Sequence, residues 1–233
     1  MANIKNSWFQ NLPSNRLIAE FSIWSSNLLN ISEDLDHISQ YADILHIDVA
    51  DGHFAPTMLF FPDLVAAISK VSTIPIHIHL MADDSILLNQ IEQFIESGAN
   101  LISIHLENIK VIDRALDLIN NKRVLAGLVL KNDTPVGRIT KYLDKICFLT
   151  LLGTSIGIKG KGLEPNAINR LKEAKLIINS FKKNKRIILA ADGGIRENTV
   201  PLLRDAGAET VVLGSLAFNS VNLSSRISWL HSL

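Results

Sequence analysis

Short, nearly continuous apolar runs alternate with longer stretches in which apolar residues return every three or four positions. The runs fall at 17–23, 44–49, 76–80, 101–105, 124–130, 146–151, 187–191 and 210–213. Rich in Ile, Val and Leu, they predict strands buried on both faces by crossover helices. The stretches near 32–40, 62–70, 85–96, 110–120, 135–142, 165–181, 197–206 and 223–230 carry the helical period. Gly98-Ala99 and Gly207-Ala208 supply stops after two of them. Eight strand–helix units in 233 residues predict an α/β fold, a single closed (β/α)8 TIM barrel. A doubly wound open sheet would carry a glycine fingerprint after the first strand, and none follows Ile23. Residues 1–16 are polar and broken by Pro13, which makes them an N-terminal extension to a barrel over 17–233.

Composition narrows the partners. Formal net charge is zero with no basic or acidic block, so neither nucleic acid nor an anionic membrane is expected. No apolar run approaches a membrane span, and the N-terminus lacks the apolar core of a signal peptide. The lone cysteine, Cys147, cannot form an intrachain disulfide, which fits a cytoplasmic location. Its apolar surroundings predict a buried structural thiol.

Chemistry concentrates at strand ends. His46 and Asp48 stand two apart on the second strand, so they face one way. Asp51-Gly52 follows as a turn, with Asp51 a turn former rather than a base. The third strand carries His77 and His79, the fourth His105 and then Glu107, and the seventh ends in Asp192 before Gly193-Gly194. Catalytic groups of such barrels sit at the C-terminal ends of strands. There His46, Asp48, His79 and Asp192 can surround one divalent ion: zinc, iron, cobalt or manganese. Two buried carboxylates without compensation would cost several kcal/mol, and a metal would offset that cost. His77 is expected as a core residue, and His105 either as support or as packing.

A second signal lies in the last third. Gly193-Gly194 after the seventh strand and Gly214-Ser215 after the eighth free backbone N–H groups to approach an anion. A short helix starting near Ser215 would add its positive end. These loops are the usual phosphate site of phosphate-binding barrels, so a phosphorylated substrate is expected. The Gly-rich stretch 153–162, with Gly157, Lys159 and Gly160, reads as a lid.

In this order, these residues resemble the ribulose-phosphate 3-epimerase family. The resemblance runs from Leu17 to about Phe218 and rests on the following motifs. They are Ser22-Ile23, His46-x-Asp48-x-x-Asp51-Gly52-His53-Phe54-x-Pro56, His79-Leu80-Met81, Ser97-Gly98-Ala99, Asp192-Gly193-Gly194 and Ala206-Gly207-Ala208 before Gly214-Ser215. Related barrels with an Asp-x-Lys-x-x-Asp motif match less well, because Asp48-Val49-Ala50-Asp51 has no lysine.

The resemblance implies a barrel of the ribulose-phosphate-binding type and a metal-dependent isomerase. It would epimerise a ketose phosphate at C3, D-ribulose 5-phosphate to D-xylulose 5-phosphate. His46, Asp48, His79 and Asp192 would bind the metal, with Asp48 and Asp192 as the acid/base pair. Ser22 would assist near the substrate, Met81 would border the reacting centre, and Gly194, Gly214 and Ser215 would hold the phosphate beside Gly193. Relatives form dimers or hexamers, so a homo-oligomer is expected.

Departures from the family pattern surround the sugar rather than the metal. Ala50 stands for Met, Phe21 for Pro, Thr57 for Asn, His77 for Asp, and His105-Leu106-Glu107 for His-Pro-Glu. A longer, different lid replaces Asn-Pro-Gly-Phe-Gly-Gly-Gln. A substrate such as D-allulose 6-phosphate, or a sugar-phosphate-binding barrel without catalysis, is therefore kept as an alternative.

Overall fold

Each apolar run becomes a strand, and the sheet closes on itself. The computed structural model describes residues 7–181 and 185–233. Its strands are β1 (Ile18–Ser22), β2 (Ile44–Asp51), β3 (Met58–Leu59), β4 (Ile76–Met81), β5 (Leu101–His105), β6 (Leu125–Leu130), β7 (Phe148–Leu152), β8 (Ile188–Asp192) and β9 (Thr210–Leu213). All except β3 pair in parallel, in the order β1-β9-β8-β7-β6-β5-β4-β2, and β2 pairs back onto β1. The two-residue β3 lies antiparallel on the end of β2. This is a (β/α)8 barrel.

The helices are α1 (Ser7–Asn11), α2 (Ile31–Ile38), α3 (Pro62–Val71), α4 (Leu87–Glu96), α5 (Ile112–Asn121), α6 (Ala167–Ser180), α7 (Val200–Asp205), α8 (Ser215–Phe218) and α9 (Leu223–His231). Two expected α-helices differ. The stretch 135–142 winds as a 3-10 helix, Val136–Tyr142, after Pro135, which has no N–H to donate. The stretch 197–206 is helical only over α7. A turn precedes α7, in which Thr199 N donates to Arg196 O (3.0 Å), and Pro201 sits in its first turn. Among the described residues, no helix is long and apolar enough to cross a membrane.

Parity divides every strand. Odd positions of β2 (Leu45, Ile47, Val49) and even positions of β4 (Ile76, Ile78, Leu80) point outward and join one apolar cluster with the surrounding helices. Burying each such side chain contributes about 1.5–3 kcal/mol. The opposite parity fills the barrel. At its floor, Ile18, Ile44, Leu101, Phe148 and Ile188 form a second apolar cluster with Phe9 and Leu12.

Those last two come from the N-terminal extension. Although the extension is polar on the whole, α1 tucks under the barrel. Arg186 fastens it by donating to Leu12 O (2.9 Å) and Pro13 O (2.8 Å). Residues 1–6 of the extension lie outside the described residues.

Candidate active site

Above the apolar floor, the barrel interior turns polar. Register places the groups: on neighbouring β2 and β4, His46 pairs with His77 and Asp48 with His79. Asp192 ends β8, level with Leu152 of β7. One donor atom from each of His46, Asp48, His79 and Asp192 lies within 4.8 Å of the others.

Asp48 Oδ1 is 3.1 Å from His46 Nε2 and 3.0 Å from His79 Nδ1. Asp192 Oδ2 is 3.6 Å from His79 Nδ1 and 4.0 Å from His46 Nε2. Metal–ligand bonds of about 2.0–2.2 Å keep the donors around one ion roughly 3–4 Å apart, which these spacings match. Two imidazole nitrogens and two carboxylates also form a donor set that suits a divalent transition ion. The residues therefore fit a metal.

The two aspartates are electrostatically unlike. Burial disfavours the charge on Asp48, but His46 and His79 outweigh it and hold the carboxyl well below the usual range. For Asp192, burial prevails over His46, and the negative Asp48 beside it adds to the upward shift. Like charges this close do not both ionise freely. Ser22 Oγ donates to Asp48 Oδ2 (3.1 Å), fixing the carboxylate that stays charged.

Each metal-facing histidine is gripped from behind. His46 Nδ1 meets Glu20 Oε1 at 2.8 Å. His79 Nε2 meets His105 Nε2 at 2.9 Å, and His105 Nδ1 meets Glu107 Oε2 at 3.0 Å. Burial pulls the His105 pKa down to about 4, so the ring is neutral and can accept from His79. Glu107 is held near 2, against burial, by His105, Thr134 Oγ1 and Lys131 N. Of the two expectations for His105, support is the one the geometry matches.

His77 is a core residue as expected. It is fully buried between Glu20 and Ser103 and outside the four-donor cluster. Asp51 accepts from His53 N (2.8 Å), Phe54 N (2.7 Å) and Asp83 N (2.7 Å), the work of a turn former. Cys147 is buried, and burial pushes its thiol up to about 12.

A cleft of about 410 Å³ opens over this cluster. Ser22, Asp48, His79, Met81 and Asp192 form its base, while His46 lies beneath it, fully buried. Gly193, Gly194, Gly214 and Ser215 line one side. Gly194 has φ +70, and a Cβ there would stand 2.7 Å from Leu163 Cα, so only glycine fits. A short helix, α8, starts at Ser215 as expected.

Gly157, Lys159 and Gly160 line the cleft as well. Lys159 Nζ donates to Trp24 O (2.6 Å) and stands 5.3 Å from the Trp24 ring, which ties the 153–162 loop to the β1 end. Ile156 of the same loop packs against the small cluster of Ala50, Ala55 and Met81.

No motif marks Glu20 in the sequence. It sits in an apolar run, yet it shares the parity of Ser22, and that was the available signal. Trp24, in a 3-10 turn (Ile23–Ser25) directly after β1, and Arg196, in the loop after β8, also line the cleft, and no local pattern marks them.

Known proteins point to one family. The model of the ribulose-phosphate 3 epimerase family matches residues 18–218. Ribulose-phosphate 3-epimerase of Bacillus subtilis (strain 168) is 31% identical over 208 residues, 89% of this chain and 94% of that protein. The Aquifex aeolicus (strain VF5) protein of that name is 34% identical over 192 residues, 82% of this chain and 85% of its own. Among solved structures, 3-keto-L-gulonate-6-phosphate decarboxylase from Vibrio cholerae O1 superposes with TM-score 0.67 at 13% identity, over 92% of this chain and 99% of that one. A 3-hexulose-6-phosphate synthase gives 0.64 at 15% identity, over 93% and 96%. At such identities these two speak for the barrel alone. Family-model coverage, sequence identity and the strand-end residues converge: the chain belongs to the ribulose-phosphate 3-epimerase family of isomerases.

Proposed function

We propose that the protein interconverts D-ribulose 5-phosphate and D-xylulose 5-phosphate by proton transfer at C3, using Asp48 and Asp192 as the acid/base pair. The observation that carries this reading is the pair itself. Two carboxylates from β2 and β8 share two histidine neighbours, His46 and His79, with one carboxylate held charged and the other pushed toward its protonated form. Epimerisation removes a proton from one face of C3 and delivers another to the opposite face. It needs one base and one acid at any instant, and their roles exchange with the direction of reaction. Transfer of this kind contributes roughly 10²–10⁴-fold.

His46, Asp48, His79 and Asp192 would hold one divalent ion. When bound, it would supply positive charge to stabilise the planar enediolate through which C3 inverts. Ser22 keeps Asp48 aimed at the cleft. Met81 gives the reacting carbon an apolar neighbour. Backbone N–H groups around Gly193, Gly194, Gly214 and Ser215 would take the phosphate. Lys159, which also lines the cleft, would help close it and exclude water.

The test is isotopic. Metal-loaded protein is given D-ribulose 5-phosphate in deuterated water. Deuterium at C3 together with xylulose 5-phosphate is expected. Failure to exchange any pentulose or hexulose phosphate would sink the proposal.

A second substrate, a ketohexose 6-phosphate such as D-allulose 6-phosphate, is favoured by one feature. Ile156 of the altered loop lines the cleft and packs against the cluster of Ala50, Ala55 and Met81, where Ala50 itself departs from the family pattern. A side-by-side kcat/KM comparison of the two sugars decides between them.

A further inference from the structure

Glu20 is a carboxylate of the barrel interior that the reaction above does not use. It is fully buried. Its Oε1 lies 2.8 Å from His46 Nδ1 and 2.5 Å from His77 Nδ1, and its Oε2 lies 3.3 Å from Thr210 Oγ1. His77 Nε2 in turn lies 2.7 Å from Ser103 Oγ. Ser103 has this place because position 127 is glycine: a Cβ there would overlap Ser103 Oγ.

Glu20, His46 and His77 could be taken for a second ion site. The spacing argues otherwise. Donors around one ion stay roughly 3 Å or more apart, whereas 2.5 and 2.8 Å are charge-assisted hydrogen bonds.

One assignment of protons satisfies every group. Ser103 O–H donates to His77 Nε2, His77 Nδ1–H donates to Glu20, and His46 Nδ1–H donates to the same carboxylate oxygen. His46 is then left with a bare Nε2, and that nitrogen faces Asp48 and Asp192.

A charge sealed in a barrel is costly, and an apolar side chain would stabilise the fold at least as well. A carboxylate behind a metal-binding imidazole orients the ring and makes it a stronger ligand. We propose that Glu20 is a positioning residue for the metal centre. It fixes His46 in the tautomer that turns Nε2 to the ion, and His77 and Ser103 hold Glu20 in place. The family resemblance puts aspartate at position 77. In this chain that position carries a histidine, and the carboxylate beside His46 comes instead from β1.

This inference rests on the reading of His46 as a metal ligand, and the experiment separates the two. Zinc affinity is measured by competition with a chromophoric chelator. Glu20→Gln, which keeps the volume and removes the charge, is expected to weaken zinc binding 10–100-fold. In a His46→Ala background, the same substitution is expected to change affinity by less than about twofold, since the coupled partner is gone.

Equal losses in both backgrounds would make Glu20 merely structural and overturn the inference. So would unchanged zinc affinity in Glu20→Gln. Absence of zinc binding by the wild-type protein would overturn the metal reading and this inference together. Should the variants fold poorly, the wild-type protein still decides. Nitrogen-15 NMR of its zinc-loaded form should show His46 protonated at Nδ1 and coordinated through Nε2. The reverse tautomer overturns the inference.

Discussion

The two faces of the barrel strands behave as different materials. On β4, Ile78 points outward into the apolar layer, and its neighbours His77 and His79 point inward to charged groups. One residue of spacing separates packing from chemistry. The outer face is tolerant in kind: any well-fitting aliphatic side chain serves there. The inner face is less tolerant, because most of its buried polar groups rely on a particular partner, Thr150 Oγ1 being an exception among the described residues. The floor, with Phe9 and Phe148, shows that the interior need not be polar. Polarity begins where the strands approach their C-terminal ends.

Substitutions can break this division. The largest effect is expected from Asp192→Asn. Turnover should fall by roughly 10²–10⁴-fold. The melting temperature should hold or rise, because a carboxyl disfavoured by burial and by Asp48 is removed. Steady-state kinetics and thermal unfolding on one preparation check both halves. A large loss of stability would mean that the inner face also carries the fold.

Ile78→Ala should do the opposite. It opens a cavity in the outer layer and should cost about 2–5 kcal/mol in urea unfolding. The kcat of the folded fraction and its zinc affinity should be unchanged. A shift in either would show that packing on one face reaches through to the other.

Acid should separate the faces as well. Glu107 has a folded pKa near 2, below its ordinary value of 4.5, through His105, Thr134 and Lys131. A depressed carboxylate stabilises fully above the unfolded pKa and loses that contribution as pH falls through the folded one. In metal-free protein, stability should therefore drop between about pH 4.5 and 2. Glu107 accounts for at most about 3 kcal/mol of this, less what solvent screening removes. Glu107→Gln should flatten that part of the curve. A curve identical to wild type would deny the His105–Glu107 pair its share.

The smallest effect is expected from Lys159→Ala. The lid lies outside both faces, so stability should stay within about 0.5 kcal/mol. KM should rise several-fold with little change in kcat, as for a group that binds without taking part in proton transfer. A fall in kcat alone would place Lys159 in the chemistry.

Much of this molecule was legible before folding. The eight strand positions follow from the apolar runs, and the barrel follows from their alternation with helical stretches. His46, Asp48, His79 and Asp192 could be assembled because the fold brings strand ends to one rim. Local rules failed in identifiable places. Phe9 and Leu12 read as part of a polar extension, because nothing in a sixteen-residue stretch reveals that a barrel floor lies beneath it. The segment 135–142 keeps a helical period whether it winds as an α- or a 3-10 helix.

Sequence alone determined periodicity, and through it the strands, their two faces and the residue types that reach the rim. Which inward groups meet was decided by the tertiary structure. Strand register and barrel closure bring Glu20 of β1 to His46 and His77, residues 26 and 57 positions away. Hydrogen bonds act over about 3 Å, and the chain gains such distances only when the sheet closes. For that reason Glu20, one acidic residue in an apolar run, showed its partners only in the closed barrel.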